Sequence, residues 1–189
     1  MTRVVLVPGT LALLPEYTSI EDPVADLRAA CLEAVAWLLE PGPVTIVGDP
    51  QGRRVGEWLV KEARGAGVSR LRRQGAFAPQ PPEGGAPQPP EGGSAVLVVG
   101  NGSACRTEKA PGYLDERSSG FDADLARALT APDPETLAGL DQTTSDELLA
   151  ATESIRALGE VLTPQHVATV DYDDDPFGVQ YWVVRWASD

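Results

Sequence analysis

The stretch Ser94–Lys109, SAVLVVGNGSACRTEK, passes from an unbroken apolar run into a glycine-punctuated polar loop. Asn101-Gly102 is a dipeptide common in tight hairpins, so the stretch admits two readings. As a hairpin it would pair VLVVG with ACRTEK, and an apolar strand laid against a mostly polar one buries little. As a buried strand with a loop at its carboxyl end, each half does what its residues favour. The second reading makes the chain an α/β protein. After the loop the sequence turns helical, with Phe121, Leu125 and Leu129 at the spacing of one helix face.

Working outward, RVVLVP (3–8) is β-branched and closed by Pro8-Gly9, as a buried strand would be. Asp22-Pro23 reads as an N-cap followed by proline at the first helical position, opening a helix with Val24, Leu27, Ala30, Cys31, Ala34, Val35 and Leu38 on one face. That face places Cys31 in the core. Pro41-Gly42-Pro43 stops the helix, PVTIVG (43–48) predicts a second buried strand, and GRRVGEWLVKEARGAG (52–67) a second helix through Val55, Leu59 and Ala63. Asp133-Pro134 opens a short helix, and Thr144 with Glu147 resembles a capping box ahead of ELLAATESIRALGEVL. HVATVDY (166–172) and VQYWVVRWA (179–187), joined across Asp173–Gly178, predict a closing pair of strands, antiparallel or neighbouring at an edge. Alternating strands and helices predict an α/β fold: a single domain over residues 1–189, with a central, mostly parallel sheet flanked by helices and a C-terminal strand pair. The four tryptophans, 37, 58, 182 and 186, fit core and sheet-face positions better than a stacking platform.

At 189 residues there is material for one substantial core and too little for two ordinary domains. The net charge of −13 repels phosphate backbones and anionic lipid alike, which argues against nucleic-acid and membrane partners. The start, MTRVVLVPGTLALLPEY, is broken at Pro8, Gly9 and Pro15, a poor signal-peptide core. Cys31 and Cys105 are too few for a disulfide framework or zinc knuckle. A cytoplasmic protein with reduced thiols is expected. Residues 78–85, APQPPEGG, recur letter for letter as 86–93, which predicts a flexible Pro/Gly-rich insertion over about 76–94.

In an open parallel sheet, loops leaving the carboxyl ends of strands form the ligand crevice. That rule would set Pro8–Thr10, Asp49–Gln51 and Asn101–Lys109 side by side. Candidate ligand-binding residues are therefore Gly9, Thr10, Gln51, Asn101, Ser103, Arg106, Thr107, Glu108 and Lys109, with Tyr113 and Asp115 as walls behind them. Arg106 and Lys109 could equally pair with local carboxylates. The loop is not a nucleotide-binding Walker loop, because no Gly-Lys-Ser/Thr follows its glycines.

Three stretches carry a family resemblance: VPGTLALLPE (7–16), GNGSACRTEKAPGYLDERSSGFD (100–122) and VDYDDDPFGVQYWVVRWA (170–187). Together they resemble the class III extradiol ring-cleavage dioxygenases, the group of the catalytic B subunit of protocatechuate 4,5-dioxygenase, and in particular small actinobacterial proteins similar to it. The resemblance implies a ferrous ion held by two histidines and a carboxylate, with a further histidine for proton transfer. It would place these imidazoles near Gly9, at Gln51 and at Ala104, and the chain's one histidine is His166. His166 follows Thr163-Pro164-Gln165 at a strand entry, where a surface histidine is common, although Asp171 or Asp173 could in principle join it. The cluster Asp171, Asp173, Asp174 and Asp175 lacks the ligand pattern of a calcium loop and reads as a solvated turn.

The expectation is a degenerate relative without catalytic residues, metal or cofactor, either silent or holding a small-molecule ligand, and able to form homo-oligomers. Two alternatives stay open. One is a hydrolase or transferase using the Ser103–Lys109 loop, for which Ser103 or Cys105 would need a nearby base. The other is a protein-interaction module acting through the repeat or an exposed sheet edge.

Overall fold

The computed structural model describes residues 2–17, 22–40, 42–73 and 95–188, the backbone alone over 67–73. Five strands form one sheet in the order β2-β3-β1-β5-β4, with β1 Thr2–Val7, β2 Val44–Val47, β3 Ala95–Val99, β4 Val167–Asp174 and β5 Tyr181–Ser188. The first three strands run parallel; β5 is antiparallel to β1 and β4 antiparallel to β5. The sheet thus has the expected parallel centre and closing pair. Of the two readings of 94–109 the structure has the strand and loop: β3 ends at Val99, and Asn101 bridges to Ala151.

Helices cover both faces, which is why β1 and β3 read as continuous apolar runs. Val4 to Val7 are fully buried, and alternate residues serve opposite layers. Val5, Val7, Leu97, Val99 and Val183 pack under α1 (Ala25–Leu38) and α2 (Pro50–Arg73). Val4, Leu6, Val98, Trp182, Val184 and Trp186 pack under α3 (Arg117–Thr130), α4 (Pro134–Ala138), α6 (Glu153–Arg156) and α7 (Leu158–Val161). The Trp186 indole N–H donates to the Leu129 carbonyl at 3.0 Å, so this ring fills the core without orphaning its one polar atom. Trp37 and Trp58 are half-buried on their helices.

Three expectations change. The strand at 43–48 is a half-exposed edge rather than a buried strand, because β3 lies between it and the centre. The first helix begins at Ala25, not Pro23: Asp22 accepts from the Val24 N–H at 3.3 Å and pairs with Arg28, which stabilises a turn ahead of the helix. In the 141–162 region, the cap is Asp141, accepting from the Thr143 and Thr144 N–H groups, and Thr144 lies inside α5 (Gln142–Glu147). Leu149 then adopts a left-handed φ of 51°, so ELLAATESIRALGEVL breaks into short pieces instead of one helix. Asp133 does cap α4, bonding the Thr136 N–H at 3.0 Å. The repeat at 78–93 lies outside the described residues.

β4 carries a register shift between Val170 and Tyr172. The extra residue, Asp171, turns toward Arg185, which it binds at 2.6 and 2.7 Å, and Tyr172 moves onto the α1 face. The bulge also disrupts the outer edge of the sheet, a common defence against edge pairing.

Candidate functional site

The loops that leave β1, β2 and β3 do meet at one end of the sheet. The Gln51 side-chain amide donates to the Gly9 carbonyl at 2.9 Å, and Gly9 lies against Val99 and Gly52. Thr10 accepts from the Ala12 N–H and shares a hydrogen bond with the Tyr181 phenol, whose burial pushes its pKa up.

What occupies this end is backbone from the stretch quoted first. Gly100 N–H bonds the Val7 carbonyl at the end of β1 (2.9 Å), Gly102 N–H bonds the Gln180 carbonyl (2.9 Å), and Gln180 N–H returns to the Ser103 carbonyl (2.9 Å). Because β3 and β5 flank β1, these bonds carry residues 100–103 across the carboxyl end of β1, roofing it. Arg106 N–H to the Gly178 carbonyl at 3.1 Å extends the zipper to the β4–β5 turn.

Gly102 and Gly178 are glycine for steric reasons. A Cβ on Gly102 would come within 2.5 Å of Asp122 Oδ1 and 2.8 Å of the Trp182 ring. On Gly178, with φ of 68°, it would meet Thr107 Oγ1 at 2.5 Å.

Joined to the roof is a polar network that is buried at Ser103 and Asp122 and partly exposed at Arg106 and Asp175. Asp122 accepts from the Ser103 N–H at 2.8 Å and the Ser103 hydroxyl at 2.6 Å, and Arg106 reaches it at 3.0 Å. Arg106 also binds Asp175 at 2.5 Å. Burial works against the guanidinium charge, but the bonds from Asp175 and Asp122 outweigh it and hold Arg106 above its ordinary pKa. Of the alternatives for Arg106, the structure displays the local carboxylate pairing. Ser103 is fully buried and Asp122 nearly so. Cys105 is buried, with its Sγ 3.4 Å from the Leu148 carbonyl, and burial pushes its thiol pKa up, away from the thiolate a nucleophile needs.

The remaining candidates lie outside the roof. Thr107, Glu108 and Lys109 are exposed, and with Pro111 and Pro176–Phe177 they line an open groove of about 830 Å³. Among the described residues Lys109 has no ion-pair partner, and Phe177 is 39% exposed. Tyr113, at φ 59°, is 75% exposed, so it walls nothing. Asp115 caps the start of α3 through the Arg117 N–H and pairs with the Arg117 guanidinium, which also holds Glu147. Asn101 turns back to the Gly102 carbonyl at 3.1 Å.

A ferrous centre does not fit these residues. Gly9 and Ala104 have no donor, and the Gln51 nitrogen is committed to a carbonyl. His166 precedes Val167, which pairs with Ala187, itself opposite Arg3 at the start of β1. Six residues of strand at about 3.3 Å each put it on the order of 20 Å from the Gly9 end. Of the structural and solvated roles open to it, it takes the structural one: the ring is buried, and Nδ1 accepts from the Thr163 N–H at 3.0 Å, so it caps its own turn. Asp171 and Asp173, its suggested partners, are bound to Arg185 and Gln180. Among the described residues no group of three or more His, Cys, Asp or Glu side chains could hold a metal ion.

Asp122 and Asp175 organise this end of the sheet; the sequence did not single out Asp122, and Asp175, read as part of a solvated acidic turn, instead binds Arg106. A signal existed for Asp122: the buried face of α3 is Ser118, Asp122, Leu125, Leu129, so a carboxylate occupies a core position of an apolar stripe. Such a residue requires partners. Among the described residues no helix is long and apolar enough to cross a membrane. No family model matches the sequence, and no curated protein matches it.

Proposed function

We propose that the chain is a metal-free relative of the class III extradiol dioxygenases, acting in the cytoplasm as a small-molecule binding protein without cofactor chemistry. The observation that carries this reading is the roof over β1. Where the resemblance implies an open iron site, the backbone of 100–103 and the Ser103–Asp122–Arg106–Asp175 network satisfy one another. Ligand access then shifts outward to the groove of Thr107–Lys109 and Pro176–Gly178, where the Lys109 ammonium and the Phe177 ring are exposed handles beside the Glu108 carboxylate. An apolar wall with a few polar groups is the usual composition of such sites.

Titrating the labelled full chain with benzoate and with catechol, followed by amide NMR, tests it. Shifts confined to 107–109 and 176–178, weakened in Lys109→Ala, are expected. Shifts centred on Gly9, Gln51 and Ala104, or ring-opened product from catechol, would overturn it.

A further inference from the structure

Two tight turns build the groove at the carboxyl end of the sheet, and they differ in chemistry. The first, 107–110, is closed by the Ala110 N–H on the Thr107 carbonyl at 3.1 Å, which puts Glu108 and Lys109 at its two central positions. The second, 175–178, is closed by the Gly178 N–H on the Asp175 carbonyl at 2.8 Å, with Pro176 and Phe177 central. One turn therefore offers an anion beside a cation, and the other an apolar surface to which Pro111 adds.

The turns are clipped together. The Arg106 N–H donates to the Gly178 carbonyl at 3.1 Å, and the Arg106 guanidinium binds Asp175 at 2.5 Å. A Cβ on Gly178 would stand 2.5 Å from the Thr107 hydroxyl and 2.8 Å from the Ala110 Cβ, so glycine is what lets the two turns approach this closely. The backbone of both walls is fixed before a ligand arrives, which lowers the ordering entropy that binding must offset.

Charge decides what the groove takes. Glu108 and Lys109 are exposed neighbours, yet among the described residues neither forms an ion pair, with the other or elsewhere. Asp175, the other charged lining residue, is already held by Arg106. A ligand bearing only a carboxylate would reach Lys109 but set its charge beside Glu108, and one bearing only an amine would reverse the conflict. A net charge of −13 also repels a free anion at a distance, whereas a zwitterion arrives without net charge. An α-amino acid carries both signs on either side of a single carbon, and adjacent turn side chains as long as Glu108 and Lys109 can reach both at once.

We propose, on the reading that this groove binds a ligand, that the ligand is a zwitterionic α-amino acid with an apolar side chain. Its ammonium group pairs with Glu108, its carboxylate with Lys109, and its side chain lies against Phe177, Pro111 and Pro176.

The test titrates the isotope-labelled full chain with phenylalanine, 3-phenylpropanoate and phenethylamine, which share a ring and carry both charges, the anion alone and the cation alone. Salt is held at about 0.15 M to screen diffuse attraction. Phenylalanine is expected to shift the amides of 107–111 and 176–178 saturably and to bind roughly three- to fivefold tighter than either analogue, the scale of an exposed ion pair. Glu108→Gln should remove its advantage over 3-phenylpropanoate, and Lys109→Met its advantage over phenethylamine; both positions are exposed, so the fold is expected to survive each change. Groove shifts from an analogue that binds as tightly as phenylalanine, or a preference that survives both substitutions, would overturn the amino-acid assignment while leaving a ligand groove in place. Absence of groove shifts from phenylalanine would overturn it as well, and if benzoate and catechol are also silent there, the ligand groove itself is lost.

Discussion

Gly102 and Asp122 carry the most concentrated demands in the molecule. Gly102→Ala must displace both the Asp122 carboxylate and the Trp182 ring, and should cost about 1–3 kcal/mol of stability, the usual range for overpacking, read as a lowered denaturant midpoint. Removing the Asp122 carboxylate is costlier, because the Ser103 N–H loses its acceptor and Arg106 keeps only Asp175. Asp122→Ala is expected to lose about 3 kcal/mol and Ser103→Ala only about 1–2, since the backbone bond survives the latter. Equal losses in chemical denaturation would show that the network contributes nothing beyond the hydroxyl. His166→Ala should cost about 1–3 kcal/mol by emptying the space of a buried ring and removing the acceptor of the Thr163 N–H, which sits in an exposed turn. Neutral loss there would mean water replaces the ring.

At the scale of elements, β1, β3 and β5 are legible because their burial is written in apolar, β-branched runs, whereas the same kind of run in β2 belongs to a half-exposed edge; α4 is legible because Asp133-Pro134 is a local cap. The breakup of 147–162 is not, since Leu149 turns left-handed while the Leu148 carbonyl accepts the Ala104 N–H, a contact no local rule supplies. Caps also set the acid response. The Asp133 carboxyl is held below its ordinary value by the Thr136 hydroxyl and then its N–H, and Asp141 likewise by Thr144. The Asp22 and Asp115 carboxyls are lowered first by Arg28 and Arg117. A lowered folded pKa binds fewer protons than the unfolded chain, so this stabilisation is present above about pH 4 and is lost as pH falls through the folded values. Melting temperature should fall across that window, and Asp141→Asn should melt below wild type at neutral pH but with it once both residues are uncharged. A gap independent of pH would contradict the assignment.

For the whole molecule, the parallel centre, the closing strand pair and the meeting of the first and second loops follow from α/β logic applied to the apolar runs, while the strand order does not. Nor does the filling of that meeting place. It depends on Gln180, Gly178 and Asp175, about 75 residues beyond the loop they close, and on a carboxylate hidden in the α3 stripe. The sequence therefore shows which loops meet but not that backbone from 100–103 and the β4–β5 turn bridges the place where they do. The most direct measurement is metal content after anaerobic loading of the full chain with ferrous iron, desalting and elemental analysis, with catechol and oxygen then added. The account predicts iron far below one ion per chain and no ring-opened product. One retained ion per chain together with turnover would contradict it.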